Sequence, residues 1–162
     1  MDTRTAPVVH SDKAGNLQSQ HSRGAPLVKV RFTWQAPALE NGVWTLDGLR
    51  ETWAIIDTGA DVSMISARLM QGAGPVVETL TSTGATGHQE VVTTHQISLI
   101  FPPSTHAVNT VVCSSSGFAA DCAYQMILGR NVLMSTRFTY DGPRGISSIY
   151  ILNEEELGGR TS

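Results

Sequence analysis

Residues 54–66, AIIDTGADVSMIS, place two acids at the end of an apolar run. Three apolar residues lead directly into Asp57, and the second acid, Asp61, follows four positions later. A carboxylate at the end of an apolar segment costs free energy unless it is paired, hydrogen-bonded or neutralised. The segment is therefore either a strand that ends at the surface or a rigid support for an acid that transfers protons during a reaction.

Two further segments belong with this one. MILGRNVL, residues 126–133, begins about seventy positions after Asp57, and between them lies TGATGH, residues 83–88, whose glycines predict a hairpin tip. Apolar–Asp-Thr-Gly-Ala, a glycine-rich tip and apolar–Gly-Arg-Asn–apolar, in this order, resemble the retropepsin-like (retroviral-type) aspartic proteases. The resemblance covers residues 27–152, and the extension through residues 138–152 is more like the single-domain bacterial and Ddi-type members.

The resemblance implies an aspartic endopeptidase that hydrolyses peptide bonds in extended polypeptide segments. In this chemistry one ionised carboxylate takes a proton from water, while a second, protonated carboxyl donates to the carbonyl oxygen of the scissile bond. Asp-Thr-Gly occurs once in this chain, so the second carboxyl has to come from another subunit. The sequence therefore predicts a homodimer in which Asp57 of each subunit meets its mate across a two-fold axis.

The residues around the catalytic Asp57 receive supporting roles from the same resemblance. Support of the active-site loop is assigned to Thr58, Gly59, Ala60, Asp61 and Arg130. Gly59 offers an unhindered N–H to the carboxylate, and Thr58 is expected to bond to its symmetry mate. Asp61 and Arg130 match positions that form an ion pair, and a semi-buried bidentate pair would brace the loop against the following helix.

The glycine-rich tip is expected to act as a flap over the substrate. Flap and substrate-binding roles are assigned to Gly84, Ala85, Thr86 and Gly87. Glycines give a lid the mobility that it needs, and backbone N–H groups near the tip can hold substrate carbonyls; an ordinary glycine turn is the alternative. The apolar residues expected to face the cleft are Ile56, Val62, Ile100 and Val132.

Composition excludes several other classes of function. The 162-residue chain is 41% hydrophobic and 15% charged, which is typical of a compact, turn-rich domain. Its formal net charge of −3 provides no basic field for nucleic acid, and no apolar run approaches the roughly 20 residues of a membrane span. Without a signal peptide, the expected location is cytoplasmic. Cys113 and Cys122 lack zinc-site spacing and are expected as thiols, so no metal or cofactor is expected.

The pattern of elements predicts an all-β protein. About seven short β-branched runs and one helix near residues 132–137 predict a closed β-barrel with one short C-terminal helix. Asp47-Gly48 predicts a two-residue hairpin turn. The polar residues 1–25 predict a flexible arm or a propeptide removed by autoprocessing, residues 26–153 the protease domain, and residues 154–162 a flexible tail.

Two other interpretations stay open at this point. The chain could be a catalytically silent retropepsin-fold module that dimerises or binds peptides, although an intact Asp-Thr-Gly argues against this. It could also be a β-sandwich binding domain in which the triplet is an accidental turn. Replacing Asp57 by Asn separates these readings, because only the protease loses its function while keeping its fold.

Overall fold

The computed structural model describes residues 4–11, 16–18, 24–40, 43–84 and 86–158, and within these ranges most of the chain is β-strand. The strands are β1 (Thr5–Ser11), β2 (Leu17–Gln18), β3 (Pro26–Thr33), β4 (Ala38–Glu40), β5 (Val43–Thr45), β6 (Arg50–Ile56), β7 (Met64–Ser66), β8 (Val76–Thr83), β9 (Gln89–Ile100), β10 (Ala107–Ser115), β11 (Met126–Leu128), β12 (Thr136–Asp141) and β13 (Ile146–Ile151). The helical segments are a 3-10 turn (Ala67–Leu69), α1 (Arg130–Leu133) and α2 (Glu154–Gly158).

A barrel forms the centre of the molecule. Neighbouring strands follow the order β3-β6-β11-β7-β10-β9, and β9 pairs back onto β3 to close the ring. Most neighbours are antiparallel, but β11 runs parallel to β6 and β10 runs parallel to β7. From β3 the sheet continues through β1 and β13 to β12, and from β9 it continues to β8. The predicted closed, mostly β fold is confirmed.

Alternating side chains from the barrel strands fill the core. The largest fully buried side chains include Phe32, Phe101, Leu27, Ile65, Ile97, Leu99, Met126 and Leu128. Each such side chain stabilises the fold by about 1.5–3 kcal/mol relative to an exposed position. Because β6 is hydrogen-bonded to β3 on one side and to β11 on the other, the segment that leads into Asp57 is held from both sides.

The predicted flexible arm is wrong for residues 5–11. They form β1, which lies between β13 and β3, with Ala6 0%, Val8 3% and His10 3% exposed. The alternation of apolar and polar residues in TAPVVHS is short and includes a proline and a histidine, so the sequence alone does not predict a strand there. Removal of residues 1–25 would take out a strand of the sheet. Residues 1–3, 12–15 and 19–23 of the predicted arm lie outside the described residues.

The predicted flexible tail is wrong for residues 154–158, which form α2. Asn153 caps this helix: its Oδ1 accepts from the Glu156 N–H at 2.8 Å, and Glu156 Oε2 accepts from the Asn153 N–H at 3.0 Å. Arg4 adds an ion pair to Glu156 at 2.9 Å. The reciprocal capping satisfies two N–H groups at the helix start, and the ion pair ties the C-terminal segment to the start of β1.

Two local predictions also need correction. The helix expected near residues 132–137 ends at Leu133, and residues 136–141 are the strand β12. Gly48 has the positive φ of +64° that its turn requires. However, β5 pairs with β4 while β6 pairs with β3, so Asp47-Gly48 links two strands that are not hydrogen-bonded to each other. Pairing with distant strands overrides the local hairpin signal.

Candidate active site

Asp57 stands directly after β6, where the strand leaves the barrel. Its backbone N–H donates to the carbonyl of Leu128 on β11 at 3.1 Å, which continues the parallel ladder by one residue. The N–H of Gly59 donates to Asp57 Oδ1 at 2.8 Å. The side chain is half-buried, while Thr58 and Gly59 are exposed. Backbone bonds on both sides therefore fix the carboxylate in position and leave it accessible.

The loop that follows Asp57 is docked against the start of α1. The Arg130 N–H donates to the Ala60 carbonyl at 2.8 Å, and the Asn131 N–H donates to the Asp61 carbonyl at 3.1 Å. These bonds join two segments that are about seventy residues apart in the chain. Residues 57–61 and 129–131 thus form one rigid unit, with the helix as a brace for the acidic loop.

Ser63 and Asn131 form the polar centre of this unit. Asn131 Oδ1 accepts from the backbone N–H and from the hydroxyl of Ser63, both at 2.8 Å. Its Nδ2 donates to Thr110 Oγ1 at 3.0 Å and to the Val111 carbonyl at 2.8 Å. The Ser63 hydroxyl oxygen accepts from the Gly129 N–H at 2.9 Å. Every polar atom of the amide is satisfied, so the network links three separate segments without an unpaired buried group.

Gly129 is required by close packing at the same place. A Cβ added to it would lie 2.7 Å from the carbonyl carbon of Val62 and 2.9 Å from the nitrogen of Ser63. Both neighbours are backbone atoms, which cannot rotate away as a side chain can. The absence of a side chain at Gly129 therefore lets the two segments approach closely enough to form the network.

Asp61 and Arg130 form an ion pair through Oδ1 and Nη2. Their side chains are 75% and 63% exposed, which is more than the semi-buried bidentate pair that the sequence led us to expect. Exposed ion pairs contribute about 0–1 kcal/mol. The backbone bonds and the Ser63–Asn131 network therefore supply more of the bracing than this pair does.

A cleft of about 740 Å³ opens beside Asp57. Its wall on the acidic side consists of Asp57, Gly59, Ala60, Asp61, Val62 and Met64, together with Cys113 and Ile127. The opposite wall comes from the β8–β9 hairpin, through Leu80, Thr81, Ser82, Thr83, Gly84 and Val92. The hairpin thus faces the carboxylate across the cleft, so the space between them is accessible to an extended ligand.

The hairpin tip is a tight turn. The Gly84 N–H donates to the His88 carbonyl at 2.8 Å, and the Gly87 N–H donates to the Gly84 carbonyl at 2.8 Å. Of the predicted flap residues, Gly84 lines the cleft, Thr86 and Gly87 are exposed at the tip outside the lining, and Ala85 lies outside the described residues.

The expectation for the apolar cleft residues was correct only for Val62. Ile56 and Val132 are in the hydrophobic core at 6% and 0% exposure, and Ile100 is buried at 9%. Ile56 and Ile100 are the last residues of β6 and β9, where an error of one position moves a side chain from one face of the sheet to the other; Val132 lies on the buried face of α1.

Several residues of the site were missed by the sequence reasoning. Met64, Cys113 and Ile127 line the cleft, and Ser63 and Asn131 hold it together. Burial raises the pKa of the Cys113 thiol, and the charge of Glu90 adds to this effect. A signal existed for Ser63, since a hydroxyl between Val62 and Met64 in an apolar stretch needs a hydrogen-bond partner when it is buried.

The segment between β10 and β11 is held by an aromatic contact and a side-chain hydrogen bond. The rings of Phe118 and Tyr124 make an edge-to-face contact with centroids 6.2 Å apart, and Gln125 Nε2 donates to the Ala119 carbonyl at 3.0 Å. Burial raises the pKa of the Tyr124 phenol, with smaller contributions from Cys122 and from the charge of Asp57.

Neither a metal cluster nor a membrane span is found in the part of the chain that the structure describes. No group of three or more His, Cys, Asp or Glu side chains in the described ranges is arranged to hold a metal ion. No helix among the described residues is both long and apolar enough to cross a bilayer.

Comparison with known proteins gives a match to a family model and similarity to solved structures. The family model described as retroviral aspartyl protease matches residues 22–139. Among solved structures, a retropepsin-like aspartic protease from Rickettsia conorii is similar at a TM-score of 0.49 and 12% identity, with 92% of this chain and 94% of that chain covered. The retroviral protease-like domain of Ddi1 from Leishmania major is similar at 0.40 and 15%, with 80% and 97% covered.

No curated protein sequence matches the chain. The family match nevertheless spans well over half of its residues, including the Asp57 loop and α1. The chain therefore belongs to the retroviral aspartyl protease family.

Proposed function

We propose that the protein is an aspartic endopeptidase that cleaves extended polypeptide segments, with one Asp57 from each subunit of a homodimer. The observation that carries this proposal is the position of Asp57: a half-buried carboxylate, fixed by backbone bonds, that faces a roofed cleft. A water molecule between two such carboxylates loses a proton to the ionised one, while the protonated one donates to the scissile carbonyl. Family membership supports the same chemistry.

The second acid has to come from another subunit. Within the described lining of the cleft, the acidic side chains are Asp57 and Asp61. Asp61 is ion-paired with Arg130 and its side chain is 75% exposed, so this carboxylate is already engaged by a cation and is a poor candidate for the second acid. Two carboxylates close to one water cannot both be charged, which is why a symmetric pair of Asp57 residues shares a proton.

The other groups of the cleft bind and orient the substrate. The apolar side chains Val62, Met64 and Ile127 on one side and Leu80 and Val92 on the other favour apolar residues next to the scissile bond. The β8–β9 hairpin covers the peptide and excludes water from the reacting bond when it closes. Exposed Thr58 is available to bond to its symmetry mate and join the two loops.

The test is cleavage of a diverse peptide pool by the wild type and by Asp57→Asn, from pH 3.5 to 7, with and without pepstatin. We expect wild-type cuts that disappear in the variant and with pepstatin, while circular dichroism shows the same fold. Cuts that persist in Asp57→Asn would refute the proposal. A folded wild-type dimer that makes no cuts would favour a catalytically silent peptide-binding module.

A further inference from the structure

A carboxylate that the proposed chemistry does not use lies on the inner face of the β8–β9 hairpin. In the antiparallel pairing of these strands, Leu80 is opposite Val92 and Ser82 is opposite Glu90. Val92 is 7% exposed and lines the cleft, whereas its neighbour Val91 is 74% exposed. Side chains alternate between the two faces of a strand, so Glu90 shares the face of Val92. Glu90 therefore lies on the cleft side of the hairpin, opposite Ser82 of the cleft lining.

The same face of β9 leads from Glu90 to the cleft residue Cys113. Val92 and Thr94 follow Glu90 on this face, with exposures of 7% and 0%, and Thr94 pairs directly with Cys113 on β10. Burial raises the pKa of the Cys113 thiol, and the negative charge of Glu90 raises it further. The effect of this carboxylate on a thiol of the cleft lining agrees with the orientation that strand alternation gives.

Glu90 has no cationic partner in the part of the chain that the structure describes. The ion pairs found there join other acids to Arg or Lys, and Arg130, which follows β11, is already paired with Asp61. Among the described residues, the cleft lining contains neither Lys nor Arg, and its charged side chains are Asp57 and Asp61. A carboxylate without a counter-ion beside a partly enclosed cleft attracts a cation of the ligand. We therefore expect the bound polypeptide to supply this cation.

Resting on the proposed peptidase function, we propose that Glu90 determines specificity by binding a lysine or arginine side chain of the polypeptide segment under the hairpin. The ammonium or guanidinium group pairs with the Glu90 carboxylate, and the aliphatic stem of the same side chain packs on Val92 and Leu80 of the cleft lining. An acidic side chain at this position is repelled. In the proposed dimer each subunit contributes one hairpin, so the preference should occur on both sides of the scissile bond.

The test compares cleavage of three peptides that differ at one position. A random peptide pool cut by the wild type at pH 6 first identifies the position with the strongest enrichment of Lys and Arg. Peptides with Lys, Gln or Glu there then give kcat/KM for each variant. We expect the wild type to favour Lys over Gln by about fivefold, the size expected of one partly solvated ion pair. Glu90→Gln should lose this preference, and Glu90→Lys should favour the Glu peptide instead.

The matched control exchanges two neighbouring residues. Gln89 shares the outward face of Val91, so Gln89→Glu combined with Glu90→Gln moves the carboxylate to the other face of β9 at constant composition and net charge. Both residues are exposed, so the core is untouched. We expect this double variant to lose the Lys preference as Glu90→Gln does. A preference that survives the exchange would mean that overall charge selects the substrate, and it would overturn the inference.

Binding without cleavage separates this inference from the proposed function. Fluorescence anisotropy measures the affinity of the Asp57→Asn variant for labelled peptide pools whose only charged residue is Lys or Glu. Tighter binding of the Lys pool, lost when Glu90→Gln is added, would support the inference even if the wild type cuts no peptide and the proposed function fails. Wild-type cleavage without enrichment of basic residues, or equal affinity for the two pools, would refute the role of Glu90 without touching the protease activity.

Discussion

Replacing Asn131 by Ala tests whether the polar network holds the Asp57 loop. The change removes four hydrogen bonds and leaves the Ser63 N–H and the Val111 carbonyl without their partners. Ser63 is fully buried, so water does not replace its lost bond without rearrangement. A buried unsatisfied group costs about 1–3 kcal/mol, and the two hydroxyl groups can rotate to other partners. We therefore expect about 3–5 kcal/mol of destabilisation.

The assay is urea unfolding followed by tryptophan fluorescence, at one protein concentration because the protein is proposed to be a dimer. The same destabilisation should also lower the melting temperature, by roughly 2–4 °C for each kcal/mol of unfolding free energy lost. Two variants calibrate the series. Thr110→Val removes a single bond of the network and should cost about 1 kcal/mol. Asn131→Asp keeps the acceptor for Ser63 but loses both donated bonds, so it should fall between the other two.

The result that would refute this reasoning is an Asn131→Ala variant no less stable than Thr110→Val. In that case the loop would be held mainly by the backbone bonds of residues 60, 61, 130 and 131.

Two further predictions concern close packing and pH. Gly129→Ala forces a Cβ to within 2.7 Å of a backbone carbon and should lower the free energy of unfolding in urea by about 1–3 kcal/mol. The control is Gly74→Ala, whose Cβ would have no atom within 4 Å and which should be close to neutral. Equal stability of the two variants would contradict the packing argument. The Asn153 backbone N–H, with help from the charge of Arg4, lowers the pKa of Glu156 below its usual value of 4.5. A lowered pKa in the folded state stabilises above the unfolded value, and this contribution disappears as pH falls through the folded pKa. Glu156→Gln should therefore reduce the melting temperature at pH 7 and make little difference at pH 3, and a deficit of equal size at both would refute the linkage.

Much of the site could be derived from local sequence. An apolar run that ends in Asp-Thr-Gly reveals a supported acid, because the run and the acid are adjacent in the chain. The all-β class followed from the alternating β-branched runs. The two motifs at residues 54–61 and 126–133, in this order and spacing, led to the family. These features can be predicted from the sequence because each depends on neighbouring residues or on motifs at a recognisable spacing.

Strand assignments failed where distant pairing decides them. Residues 5–11 carry too short a pattern to predict a strand, and they become β1 because β13 and β3 lie on either side. The Asp47-Gly48 turn was read as a hairpin, but β6 pairs with β3 instead. In both places the hydrogen-bond partner is far along the chain, so no local window contains it.

The sequence by itself determined the family and the position of the motif that carries it: a single Asp-Thr-Gly that follows an apolar strand. Only the tertiary structure determined what holds that acid and what surrounds it. Ser63 and Asn131 are 68 residues apart and meet because β6, β11 and β7 are neighbours in the barrel. Whether Ile56, at the end of β6, faces the cleft or the core depends on strand register. Register is set by side-chain packing across strands that the linear sequence does not place together.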